Sequence, residues 1–144
     1  MKLKVFLEEG ATKPNRAHNS DAGLDLYSRE DKTIYAFDSA VFDTGVHIEL
    51  PPDCVGFLKS KSGLNVKHGI TSEGVIDERF TGSIVVKLYN NSDQCVNICK
   101  GQKISQLVIL PILKPEYEEV DSVDNLYGGK TERADKGFGS TGDF

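Results

Sequence analysis

No stretch of the chain carries a long amphipathic helical period. What recurs is a short apolar run cut off by glycine, proline or a polar cluster. Thr44-Gly45-Val46-His47-Ile48-Glu49-Leu50 alternates cleanly, stops at Pro51-Pro52-Asp53, and Val55-Gly56-Phe57-Leu58 restarts. A period of two turns one face of an extended segment inward, and closely spaced turn signals fold such segments back on one another. The pattern predicts an all-β sandwich or barrel. Further candidate strands are residues 1–7, the run around Leu24 and Leu26, two short stretches within 33–50, the flanks of 74–82, and 101–110, ended by Pro111. Residues 62–67 have room for one short helical turn. Residues 90–100 read as a polar connection, and 117–123 as a last strand or an extended stretch.

A chain of 144 residues is long enough for one domain with a real core. Composition shifts after residue 124, where glycine crowds a tail with little apolar content. The expected division is a core over 1–124 and a glycine-rich arm over 125–144. A net charge of -5 argues against a general nucleic-acid surface, although a polyanionic ligand fits if a few cations gather locally. The three cysteines, Cys54, Cys95 and Cys99, form no C-x-x-C pair, which fits packing cysteines in a reducing compartment and no zinc site. No signal peptide, transmembrane run or lipidation motif is visible, so a soluble cytoplasmic protein without a membrane partner is expected.

Three stretches carry chemistry. In residues 74–82, Asp77 sits where the run Val75-Ile76 stops, Phe80 follows three residues later, and glycines bracket the whole. With Ser83-Ile84-Val85-Val86 downstream, this reads as strand, tight loop, strand. It is either an ordinary hairpin with a polar tip or a ligand edge, where an acid holds a water and an aromatic packs a flat ring. Lys59-Ser60-Lys61-Ser62-Gly63-Leu64 is either a polar surface turn or a phosphate seat, with backbone N–H groups, hydroxyls and lysines as donors; it is no Walker loop. The tail, with Arg133, Phe138, Ser140 and Thr141, is either disordered or an arm that orders on an anion. Gln106 lies inside a strand and needs a partner if buried. Asp25, alone between Leu24 and Leu26, is expected to face solvent.

Five short stretches in order, 22–28, 61–64, 74–82, 101–107 and 133–142, together resemble the motifs of the trimeric deoxyuridine triphosphate nucleotidohydrolases, the dUTPases. The resemblance spans almost the whole chain. It implies a jelly-roll-like all-β subunit, a homotrimer with a swapped C-terminal arm, and active sites between subunits. It implies hydrolysis of dUTP to dUMP and pyrophosphate by water attack on the α-phosphorus, which keeps uracil out of DNA and supplies dUMP for dTMP synthesis. By the resemblance, Asp77 activates the water and touches the sugar 3′-hydroxyl. Val75, Ile76 and Val85 offer main chain to uracil, Thr71 is a further uracil contact, and Phe80 lies under the sugar. Lys61, Ser62, Gly63 and Gln106 contact the phosphate chain. Arg133, Gly139, Ser140 and Thr141 close on the terminal phosphate, and Phe138 stacks on the base. Asp25 acts on Mg2+ through water, the ion being held mainly by the triphosphate.

Lys61 stands where the family commonly has Arg and lacks its bidentate fork. Phe80 stands where Tyr is usual, and Ala134 and Lys136 where Gly is usual. Two competing readings exist: a dCTP deaminase of the same fold, and a regulatory protein that grips a protein partner, with the acidic run 116–124 as its surface. A zinc deaminase is set aside because the P-C-x-x-C signature is missing.

Overall fold

The computed structural model describes residues 1–144. The strands are β1 (Lys4–Leu7), β2 (Gly23–Tyr27), β3 (Lys32–Ile34), β4 (Ser39–Asp43), β5 (Val46–Glu49), β6 (Cys54–Lys59), β7 (Ile70–Ile76), β8 (Val85–Asn90), β9 (Val96–Ile98) and β10 (Lys103–Pro111). One helix, α1 (Ser62–His68), joins β6 to β7, and a 3-10 segment covers Val123–Gly128. The chain divides into two units, Met1–Leu113 and Lys114–Phe144. The expected boundary at 124/125 lies inside the second.

The first unit is the all-β fold predicted from the alternation. Its main sheet runs β2-β10-β6-β7-β8-β4, antiparallel throughout, and two small sheets pair β1 with β5 and β3 with β9. Strand β8 shows the cause. Val86 and Leu88 are fully buried while Val85, Lys87 and Tyr89 point outward. Ile34 and Ile98 from one small sheet, and Val46 and Ile48 from the other, join Leu26, Phe42, Ile70, Leu88, Ile104 and Leu107 in a single core. The small sheets therefore close over the large one, as in a jelly roll. Helix α1 buries only Leu64 and ends at Gly69, whose φ of 66° is the left-handed cap glycine adopts without strain. No helix is long and apolar enough to cross a membrane.

Strand β9 corrects the reading of 90–100 as a plain connection. It has only Val96 and Ile98 to bury, too short a pattern to signal a strand. Asn90 compensates. Its buried side-chain amide donates to the carbonyls of Ile34 (3.1 Å), Tyr35 (3.1 Å) and Gln94 (2.7 Å), tying the segment before β9 to β3. Asn90→Ala leaves these carbonyls without their donor and is expected to destabilise the fold by about 2–4 kcal/mol, read from urea midpoints. The exposed neighbour Asn91→Ala is the control, at under about 1 kcal/mol.

In the second unit, residues 117–123 form no strand. Their side chains are exposed, and no ladder within the chain receives them.

Candidate active site

Strands β7 and β8 pair at Ile70↔Asn90, Thr71↔Tyr89 and Ser72↔Leu88, and there the pairing stops. From Glu73 onward β7 lies only on β6, through Glu73↔Lys59 to Ile76↔Gly56. Strand β8 meanwhile stays on β4 down to Val85↔Asp43. The two strands thus part: the main chains of 74–76 and 84–86, which continued register would have joined, are not ladder partners, and this parting is the slot. Val75 and Val85 stand exposed at its edges. Thr71 lies in the zipped part of the pair, where its hydroxyl accepts from the Asn91 amide at 3.0 Å.

Asp77 opens a turn at the end of the slot. The Phe80 N–H donates to the Asp77 carbonyl at 3.2 Å, and Arg79 takes a φ of 70°. A positive φ at the third residue is the type II geometry. The Asp77 carboxylate is exposed. The adjacent Glu78 carboxylate accepts from the Asp53 N–H at 3.3 Å, which fastens the turn to the one before β6. The Phe80 ring folds back over Gly82. A Cβ there would lie 2.6 Å from Phe80 Cζ, so a larger residue would push the half-exposed ring out of this position. The sequence marked Gly82 as a bracket but not for this reason.

A second cluster forms where β2, β10 and β6 lie side by side. Gln106 is opposite Asp25 on one flank and Lys59 on the other, and its side chain donates to the Ser60 carbonyl at 3.0 Å. Asp25 does not face solvent, as its lone position between leucines predicted. It is 4% exposed and bonded to Lys61 Nζ at 2.5 Å and Lys103 Nζ at 2.7 Å. Burial raises the Asp25 carboxyl, but the Lys103 and Lys61 ammoniums outweigh it and hold it below the usual carboxylate range. Ser62 and Gly63, in the first turn of α1, follow Lys61 directly. Lys103 was missed by sequence reading. A register shift between Lys103 and Ser105 breaks the alternation that would have shown which face it takes.

Within one chain these clusters are apart. Asp77 lies beyond the Gly56 end of β6 and Lys61 beyond its Lys59 end, on the order of 15–20 Å away at strand rise. In the second unit, Arg133, Lys136, Ser140 and Thr141 line one depression, with Arg133 Nε donating to the Lys136 carbonyl at 2.9 Å. Gly139 has a φ of 78°, and Phe138 is fully exposed. No group of three or more His, Cys, Asp or Glu side chains is arranged to hold a metal ion. Both Asp25 oxygens face ammonium groups, so as the side chains stand Asp25 offers no free oxygen for direct coordination of a cation.

The features on the page are thus two strands that part, an exposed carboxylate at the turn beyond them, and a buried carboxylate flanked by two lysines. A family model described as dUTPase matches residues 9–142. The deoxyuridine 5'-triphosphate nucleotidohydrolase of Clostridium acetobutylicum is 41% identical, over 99% of this chain and 96% of that protein. A solved structure of the G164S mutant of the Staphylococcus bacteriophage 80alpha dUTPase with dUpNHpp superposes with a TM-score of 0.88 at 29% identity, covering 98% of both chains. The dUTPase of phage phi11 of S. aureus, described with a structural Mg(II) ion, reaches 0.79 at 29% identity, over 86% of this chain and 99% of that one. The chain belongs to the dUTPase family.

Proposed function

We infer that the chain is a dUTP diphosphatase, hydrolysing dUTP to dUMP and pyrophosphate. The parting of β7 from β8 beyond Ser72 and Leu88 carries this reading. Two strands that separate without a bulge or a filler leave N–H and C=O groups in a fixed array, which suits the donor and acceptor edge of uracil. The narrow slot excludes a 5-methyl group by sterics, and cytosine's amine mismatches the array. Each main-chain group left unpaired by a wrong base costs about 1–3 kcal/mol.

In this reading Phe80 packs under the deoxyribose and leaves no room for a 2′-hydroxyl, a steric role that needs no phenol oxygen. Asp77 accepts a proton from a water poised in line with the α-phosphorus. The new P–O bond forms as the bond to the bridging oxygen breaks, and pyrophosphate leaves. Ser62, Gly63, Gln106 and Lys61 hold the phosphates. With Lys61 turned to them, Asp25 would keep Lys103 and would have one oxygen free to meet the water shell of a Mg2+ ion held by the phosphates. The ion supplies neutralisation of phosphate charge when present.

The separation of Asp77 from Lys61 along β6 supports sites shared between copies, as does the arm's depression with Arg133, Ser140 and Thr141. We therefore propose a homotrimer in which the arm of one subunit closes a site built from the others. The three free cysteines support a reducing, cytoplasmic setting.

Pyrophosphate release from dUTP, dCTP, dTTP and UTP, with and without Mg2+, tests the reading. Rapid release from dUTP with at least about hundredfold preference over the others is expected. Ammonia release from dCTP would assign a deaminase instead.

A further inference from the structure

The loop that carries Phe80 is held by a closed run of polar contacts that includes none of the substrate residues above. His47 on β5 has Nδ1 2.7 Å from the Thr81 carbonyl oxygen and Nε2 2.9 Å from Glu8 Oε1. Arg29 Nη1 donates to the other Glu8 oxygen at 2.9 Å, and Arg29 Nη2 lies 3.1 Å from Asp43 Oδ2. Asp43 Oδ1 in turn accepts from the Ser83 hydroxyl and, at 3.0 Å, from the Gly45 N–H. The run starts at Thr81 and ends at Ser83, on either side of Gly82. That glycine is the residue against which the Phe80 ring lies.

His47 is the one link that titrates near neutrality. Its two partners, a carbonyl oxygen and a carboxylate, only accept hydrogen bonds. A neutral imidazole has one N–H and turns a lone pair toward one of them. An imidazolium donates to both, the form that suits two short contacts to acceptors. Its surroundings agree. Glu8 lies at the end of β1, Asp43 on β4 and Arg29 beyond β2. Lys4 and Glu49, which share a surface depression with His47, pair with each other at 2.8 Å. The Phe6 ring packs edge-on against the imidazole, centroids 5.4 Å apart.

We propose that His47, as an imidazolium, is a positioning residue for nucleotide binding, fixing Thr81 and through Gly82 the Phe80 ring beneath the sugar. The inference rests on the assignment of Phe80 to the sugar. The Thr81 carbonyl, then the Glu8 carboxylate, raise the His47 pKa above its ordinary 6.5, against the opposing effect of burial. Glu8 is itself held below the usual carboxylate range, first by His47 and then by Arg29, and stays ionised in this window. A raised imidazole pKa means both bonds are present at and below 6.5, and one is lost as pH climbs through the folded-state value. Grip on the sugar therefore weakens on the alkaline side.

The test is kcat and KM for dUTP and UTP between about pH 6 and about pH 8.5 in the wild type, His47→Gln and His47→Ala, with a melting temperature at each pH. In the wild type the dUTP KM is expected to rise about five- to tenfold across the alkaline limb at nearly constant kcat. His47→Gln has one amide donor group and no titration, so its KM profile is expected to be flat. His47→Ala is expected to show the high KM at every pH and a smaller preference for dUTP over UTP. A role in folding alone would lower the melting temperature without this KM-against-kcat split. A His47→Gln enzyme that keeps the wild-type alkaline rise overturns the inference while leaving the site reading intact. A wild type inert toward dUTP overturns the site reading and the inference with it. If His47→Ala does not fold, the glutamine profile decides.

Discussion

Asp77→Asn is expected to nearly abolish dUTP turnover while leaving nucleotide binding close to that of the wild type. The side chain sits at the first position of the 77–80 turn, but the turn is closed by the Asp77 carbonyl, not its carboxylate. The amide is isosteric and the position exposed, so neither fold nor slot should change. What the amide cannot do is take a proton from the attacking water. Loss of a general base costs about 10²–10⁴-fold in kcat. Sugar contact through the 3′-hydroxyl survives, because an amide still offers an oxygen. Single-turnover pyrophosphate release, set beside equilibrium binding of a non-hydrolysable dUTP analogue, separates the two quantities. Wild-type turnover in this variant would move the base to another residue. Equal loss of binding and turnover would make Asp77 a ligand contact only.

The parts of this molecule that were legible in sequence are those where one physical rule acts alone. Strand β8 alternates without interruption, and β5 is bounded by proline, so both are where the period of two places them. The turn at 77–80 follows from an apolar run ending in polar residues and glycine. Local pattern fails where a partner distant in the chain decides. Asp25 is buried where Lys61 and Lys103 arrive from the end of β6 and from β10, a meeting no window around residue 25 contains. Strand β9 exists because β3 and Asn90 receive it. Lys103 is hidden by an irregular register, and His47 by its place in an otherwise ordinary alternating strand. The slot itself is legible only as topology. Nothing in residues 73–76 or 84–87 announces that β7 and β8 will part, since each remains a regular strand on its other neighbour.

Deletion of residues 133–144 is expected to leave a folded protein with little hydrolase activity. The buried hydrophobic core lies between Leu26 and Leu107, and the side chains removed are all exposed, so the core loses no contact area. The change in melting temperature should therefore be under about 2 °C, the range of surface changes away from core and caps. The chemistry should suffer far more. Arg133, Lys136, Ser140 and Thr141 share a depression with Thr131 and Glu132, so two cations and three hydroxyls suited to a terminal phosphate outnumber one carboxylate. Phe138 is wholly exposed and free to cover a base. In the proposed site the phosphate chain would then be held only by the seat around Lys61, whose ammonium is otherwise engaged by Asp25, and water would reach the reacting phosphorus. An open site loses both orientation and the low dielectric that strengthens each charged contact, and kcat/KM is expected to fall by about 10²–10⁴-fold. Phe138→Ala in the full-length chain should give a smaller loss, about tenfold and mainly in KM, from stacking alone. Sedimentation and circular dichroism report whether the truncated chain keeps its assembly and fold, and steady-state kinetics report the rest. A truncated enzyme as fast as the intact one would show that closure over the nucleotide comes from elsewhere in the assembly.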